Sequence, residues 1–126
     1  MTTAIEAGWV LKTMAAMAAA DQRLDAREVS LIQKVYAELT GRPVDVGGVV
    51  SAVQVYARKN VLAELSAVAG GLNLETKEAI IRGACRTLTV NNFVSESERT
   101  KLRELAETLH VSGQELDAIL NDPGGA

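Results

Sequence analysis

The amino-acid sequence predicts an all-α fold, a compact bundle of about seven helices formed by two pseudo-repeated helical units. Apolar residues make up 48% of the chain and aromatic residues only 3%. Ala, Leu, Val, Ile and Met must therefore fill the core, which favours helix packing over a sheet. Apolar residues also recur at helical spacing. Four segments have the spacing of a helix capping box: Thr3 and Glu6, Asp25 and Glu28, Ser95 and Glu98, Ser112 and Glu115.

The predicted helices cover residues 4–20, 26–40, 46–58, 61–69, 74–90, 96–110 and 113–120. The capping boxes mark the starts of the first, second, sixth and seventh helices. Gly41 and Pro43 end the second helix, and Asn121 and Pro123 end the last one. Gly47 and Gly48 weaken the first turn of the third helix by roughly 1 kcal/mol each relative to Ala.

A repeat of pattern at an offset of 70 residues predicts the two units. Stripes of apolar residues coincide without gaps at this offset, and so do two capping boxes. Leu11, Met14, Ala15 and Ala18 fall on Ile81, Ala84, Cys85 and Leu88; Ile32, Val35, Tyr36 and Leu39 fall on Leu102, Leu105, Ala106 and Leu109; Val46, Val49 and Val50 fall on Leu116, Ile119 and Leu120. We therefore expect a single domain over residues 1–126, with a first unit at about 4–57, a bridging helix at about 58–72, a second unit at about 73–120 and a tail at 121–126.

The composition and the net charge of the chain indicate which partners and which cellular compartment to expect. The chain has a net charge of −3, which disfavours phosphate backbones, so no nucleic-acid partner is expected. The basic residues Arg82, Arg86, Arg99, Lys101 and Arg103 are offset by interleaved glutamates. One cysteine forms no internal disulfide. The sequence shows neither a secretion signal nor an apolar run of membrane-spanning length, and we expect a cytoplasmic protein.

Asp21, Asp25 and Glu28 form the one acidic cluster that raises a functional question. Carboxylates on one turn could hold a divalent cation such as calcium or magnesium. The pattern of a calcium-binding loop is not met, because Ala26 stands where that loop needs Gly and Ile32 where it needs Glu. In the other interpretation, Asp25 and Glu28 cap the second helix and Asp21 shapes the turn. Both interpretations remain open from the sequence.

The sequence offers no catalytic constellation and no cofactor motif. Cys85 lies on an apolar stripe and is expected to pack in the core. His110 is placed in the last turn of the sixth helix, where the helix dipole favours a cation. A single His and a single Cys form no zinc cluster. Trp9 and Tyr56 are interpreted as core anchors.

The segment from Ala18 to Glu28, with sequence AAADQRLDARE, resembles the signature of TerB-like (tellurite-resistance B) domains. Residues 89–98 resemble the second, more degenerate copy of that signature. Gln22 stands where the family usually has Gly. The resemblance covers about residues 4–120. It implies a bundle of about seven helices without catalytic residues, found in stress-response and metal-resistance contexts.

From these observations we expect a non-catalytic interaction or scaffold module that docks to a partner protein or a membrane-associated complex, in a stress response. The alternative hypothesis is a divalent-cation-responsive domain that uses Asp21, Asp25 and Glu28 as ligands.

Overall fold

A computed structural model describes residues 4–20, 26–57, 59–88 and 96–121. In these ranges the chain is helical and contains no strand. The seven helices are α1 (Ala4–Ala20), α2 (Ala26–Thr40), α3 (Val46–Tyr56), α4 (Val61–Val68), α5 (Leu74–Leu88), α6 (Glu96–Thr108) and α7 (Gly113–Asn121), with a 3₁₀ turn, Ala69–Gly71, after α4. The prediction of an all-α protein with about seven helices is confirmed.

The end of α6 differs from the prediction. The helix stops at Thr108, and His110 follows it with a φ of 60° instead of lying in its last turn. The N–H of His110 donates to the carbonyl of Glu107 at 3.1 Å, and the N–H of Val111 donates to the carbonyl of Ala106 at 2.8 Å. This pair of bonds is a Schellman motif, which satisfies carbonyls at the helix end. It therefore places His110 just beyond the helix.

Side-chain caps begin several of the helices. Asp45 accepts a hydrogen bond from the N–H of Gly48 at 2.6 Å, and Asn60 and Asn73 do the same for α4 and α5. At α7 the predicted cap Ser112 is confirmed, since its hydroxyl accepts from the N–H of Glu115 at 3.2 Å, and the Glu115 carboxylate contacts that hydroxyl at 3.2 Å. The predicted caps Thr3, Asp25 and Ser95 lie outside the described residues.

Helix α1 lies at the centre of the bundle and packs against α2, α3, α4 and α5. It is apolar almost all round, as a helix surrounded by others must be. The largest fully buried side chains are aliphatic apart from Thr13, as the low aromatic content requires. They are Met14, Ile32, Leu65, Ile80, Ile81, Leu102, Leu105, Leu109, Val10, Val35, Val49 and Thr13.

The packing of α1 against α5 is close and runs along both helices. Near their N-termini the hydroxyl of Thr76 donates to the carboxylate of Glu6. Farther along, Gly83 faces Met14 so closely that a Cβ on Gly83 would lie 3.0 Å from the Met14 Sδ. Because both contacts advance in the same direction, α1 and α5 run parallel. The absence of a side chain at Gly83 permits this close approach.

Helix α6 is two residues shorter than α2, and the linker that follows α6 is one residue shorter than the α2–α3 linker, which changes the predicted alignment of α3 and α7. Helices α3 and α7 begin 67 residues apart, at Val46 and Gly113, whereas the predicted offset is 70. Val46 is accordingly 55% exposed, but Leu116, its expected counterpart, is 4% exposed. Val49 and Ile119, a second pair at the predicted offset of 70, are both buried, so the burial of these helices does not decide between the two offsets.

None of the helices within the described ranges is long and apolar enough to cross a membrane.

Candidate functional site

The predicted acidic cluster is described only at one of its residues. Asp21 and Asp25 lie outside the described residues. Glu28 lies in the first turn of α2, half-buried, with its Oε2 atom buried. Among the residues that the structure describes, no three His, Cys, Asp or Glu side chains are grouped as metal ligands would be. The cation hypothesis stays a prediction.

Cys85 and His110, the single cysteine and the single histidine of the chain, lie in different environments. Cys85 is buried on α5, which confirms its predicted packing in the core. His110 is exposed after the end of α6. Trp9 is 8% exposed and belongs to the core, as predicted, whereas Tyr56 is half-buried and packs at its edge.

A surface groove of about 290 Å³ lies between α1 and α3, and we call it the α1–α3 groove. It is lined by Gly8, Leu11, Lys12, Gly48, Ser51, Ala52, Val55 and Tyr56. Val55 is 46% exposed although it is apolar. Ile5, one helical turn before Gly8 on α1, is 76% exposed. Val55 in the groove and Ile5 near it therefore leave much of their apolar surface exposed.

Two lysines stand at the end of the groove where α3 terminates. The Nζ of Lys12 lies 4.4 Å from the ring centroid of Trp9 and 5.8 Å from that of Tyr56. The Nζ of Lys59 lies 5.9 Å from the Tyr56 ring. Cation–π contacts of this kind stabilise by about 0.5–1 kcal/mol at exposed sites. Within the described part of the chain neither lysine forms an ion pair. The groove therefore has a cationic end.

Two glycines line the groove, Gly8 and Gly48, and only Gly48 is explained by contacts within the described chain. A Cβ on Gly48 would lie 2.9 Å from the Val44 side chain and 3.1 Å from the capping carboxylate of Asp45. Gly48 is thus needed for the start of α3. A Cβ on Gly8 would meet nothing within 4 Å, and Gly8 has no positive φ. Packing inside the described chain gives no reason for a glycine at position 8.

We expect Gly8→Ala to raise the free energy of unfolding by about 0.5–1 kcal/mol, because Ala is the better helix former and its methyl group meets no neighbour here. Denaturant titration followed by circular dichroism measures this. Gly48→Ala is the matched control and is expected to destabilise, since its Cβ meets Val44. A loss of stability in Gly8→Ala would contradict the open geometry of the groove.

A second depression, of about 200 Å³, lies next to the groove and also has lysines in its lining. It is lined by Ala16, Met17, Lys59, Asn60, Val61, Leu62, Lys101 and Glu104. Lys59 belongs to this depression and also contacts Tyr56 of the groove. Lys12, Lys59 and Lys101 therefore border two neighbouring depressions.

A third depression, of about 240 Å³, lies between α2 and α5 and is polar. Glu38, Leu39, Glu75, Glu78, Ala79, Arg82 and Arg86 line it. Arg86 donates to the carboxylate of Glu38 at 2.5 Å. The hydrogen bond and the charge of Arg86 lower the pKa of Glu38, and Lys34 adds to this effect.

We expect Arg86→Gln to raise the pKa of Glu38 towards its ordinary value, because its main cationic partner is lost. A group with a lowered folded-state pKa stabilises above its unfolded pKa, and this contribution is lost as the pH falls through the folded-state pKa. The stability difference between the wild type and Arg86→Gln should therefore disappear in acid. Carbon-detected NMR titration of the carboxyl group measures the shift. Lys34→Gln is the control, with a smaller rise; equal effects would contradict the pairing.

The sequence offered partial signals for the groove. An unexplained glycine inside a helix, as at Gly8, often marks close approach by another chain. The sequence suggests Tyr56 as a core anchor, whereas in the structure it lines the groove. Searches of protein-family models, curated proteins and solved structures returned no match to this chain.

Proposed function

We propose that this protein is a non-catalytic, TerB-like interaction module that docks to a partner protein or to a membrane-associated complex in a stress response. The observation that carries the proposal is the α1–α3 groove, a concave apolar surface between two helices. The resemblance of residues 18–28 to the TerB-like signature supports it. The seven-helix architecture agrees with what that resemblance implies.

The chemistry of the groove favours binding over catalysis. Its lining provides mainly apolar carbon, with the hydroxyl of Ser51, the phenol of Tyr56 and the ammonium of Lys12 as polar groups. A nucleophilic hydroxyl needs an adjacent base, and Lys12, the basic side chain of the lining, is placed over the Trp9 ring. Apolar surface with a charged edge is the usual composition of a protein-binding site.

We also propose that the fold consists of two related units, residues 4–57 and 73–120. Glu6 and Thr76 are partners at an offset of 70 residues and contact each other directly. Ile32 and Leu102 are both fully buried at the same offset. For the last helices an offset of 67 pairs buried positions, such as Val49 with Leu116. A parallel α1–α5 pair is compatible with a two-fold axis that runs along the two helices.

Affinity purification with quantitative mass spectrometry tests the docking function. Wild-type protein is compared with Gly8→Leu, which fills the groove, and with Gly113→Leu, a matched glycine substitution in α7 where a Cβ meets nothing within 4 Å. We expect a partner that the wild type and Gly113→Leu retain and that Gly8→Leu loses. Absence of any protein enriched above the background would contradict the docking function.

A divalent-cation-responsive domain remains the second proposal. It rests on the carboxylates of Asp21, Asp25 and Glu28, which the sequence places close together at the start of α2. Calcium and magnesium titrations followed by NMR test it. Saturable shifts at Asp21, Asp25 and Glu28 are expected if the cation binds there. Unchanged spectra would exclude it.

A further inference from the structure

We propose that the α1–α3 groove binds a short amphipathic helix of a partner protein, which buries apolar side chains between α1 and α3 and places carboxylates against Lys12 and Lys59. The proposal rests on the docking function and adds the chemical class of the partner. It is carried by three features of the groove: its apolar strip, its cationic end and the open space at Gly8.

The apolar strip has the dimensions of a helix-binding site. On α3 its lining runs from Gly48 to Tyr56, which is about 12 Å at 1.5 Å per residue. Val55 and Ala52 face the groove from α3. This length corresponds to about two helical turns of the occupant, enough for anchors at i, i+3 or i+4, and i+7. An occupying helix would cover the exposed side chains of Ile5 and Val55.

The cationic end selects the charge of the partner. Lys12 and Lys59 are held over aromatic rings at 4.4–5.9 Å and form no ion pair within the described residues. The chain as a whole carries a net charge of −3, so an acidic partner is attracted only where positive charge is concentrated. Carboxylates beside these lysines would fix the orientation of the bound helix.

Other occupants fit the groove less well. Its volume of about 290 Å³ lies just below the ~300–1,000 Å³ typical of small-molecule sites, and it is open along one side. A peptide that binds by adding a strand would need a sheet edge, and the described residues contain no strand. A bilayer surface is flat, whereas the groove is concave and Trp9 is buried below its edge.

Gly8 allows the backbone of the occupant to approach α1. Small residues at a helix surface bring a second helix close, because no Cβ holds the two backbones apart. A Cβ at position 8 would project into open space, so a larger side chain there occupies the groove without disturbing the fold.

The test uses a synthetic Ala-rich peptide of about 16 residues, long enough to form a helix in water. It carries Leu at i, i+3, i+4 and i+7, and two glutamates flanking this face at one end. A twin peptide has lysines in place of the glutamates. Binding of each peptide to the full chain is measured by ¹⁵N NMR. We expect the acidic peptide to bind more tightly than its twin and to shift the amides of Gly8, Ser51 and Val55.

Three variants locate the contacts. Gly8→Leu should lower the affinity for the acidic peptide at least about tenfold, which is the order of the loss when one or two anchoring side chains no longer bind. Gly113→Leu should leave its affinity unchanged. Lys12→Gln should reduce the difference between the two peptides, and added salt should do the same in the wild type.

The proposal is overturned if neither peptide binds, if both bind equally, or if Gly8→Leu binds as the wild type does. It is also overturned if phosphatidylcholine vesicles containing phosphatidylserine co-sediment the protein in a manner that needs Lys12 and Lys59, since the surface would then recognise lipid. If Gly8→Leu retains a partner in affinity purification, the docking function stands, and only the proposal that the groove is the docking site is contradicted.

Discussion

Replacing Ile32 with Ala is expected to lower the free energy of unfolding by about 2–5 kcal/mol, and replacing Leu102 with Ala by a similar amount. Both side chains are fully buried, Ile32 in α2 and Leu102 in α6. Each truncation removes buried methyl and methylene groups and leaves a cavity that the surrounding helices fill only in part. A domain of this size has a total stability of about 5–15 kcal/mol, so the loss is a large fraction of it. Denaturant titration gives the free energy from the midpoint and slope.

Lys34→Ala and Glu104→Ala are the controls for these truncations. Both residues are exposed on the same two helices, and we expect changes within about 0.5 kcal/mol. A cost below about 1 kcal/mol for Ile32→Ala or Leu102→Ala would contradict the burial of that position, because core truncations rarely cost so little. Unequal costs at the two sites would weaken the proposed relation between the units.

Replacing Gly83 with Leu is expected to destabilise the protein by about 1–3 kcal/mol, the usual cost of overpacking a core. A Cβ at this position lies 3.0 Å from both Cγ and Sδ of Met14 and 3.5 Å from Cδ1 of Leu39. The new side chain must push α1 away from α5 or displace Met14. This cost is expected to exceed the gain of about 1 kcal/mol in helix propensity when Gly is replaced.

A double-mutant cycle with Met14→Ala tests the cause of this loss. Truncating Met14 makes room opposite Gly83, so Gly83→Leu should cost less in that background, with a coupling of about 0.5–3 kcal/mol. Gly113→Leu controls for the substitution itself, since a Cβ there meets nothing within 4 Å. Strict additivity of Met14→Ala and Gly83→Leu would show that the two residues do not share the contact.

Most helix boundaries could be predicted because local signals set them. The second helix ends where Gly41 takes a φ of 71°, a conformation that favours glycine. The caps Asp45, Asn60 and Asn73 do not match the capping-box pattern, which is why that pattern does not predict them. The residues three positions after them are Gly48, Ala63 and Thr76, which carry no carboxylate. A lone Asp or Asn side chain is sufficient to cap a helix.

The groove could not be predicted from the sequence, because it depends on how α1 and α3 meet. The sequence places the apolar Leu11 and the charged Lys12 on α1, but it does not show which residues of α3 face them. The contact of Lys12 with Trp9 is local, at a spacing of three residues, and was accessible in principle. Its contact with Tyr56 joins residues 44 positions apart and depends on tertiary packing.

Trp9 is the only tryptophan of the chain, and its position makes it an intrinsic optical reporter of one side of the bundle. Its fluorescence follows the surroundings of α1 and the approach of Lys12, whereas circular dichroism averages over all the helices. If both signals change at one denaturant concentration, the chain unfolds as a single cooperative unit. If the emission changes first, the surroundings of Trp9 are lost while the remaining helices persist. An emission change without unfolding would in turn report a movement of Lys12, which lines the groove and lies over the Trp9 ring.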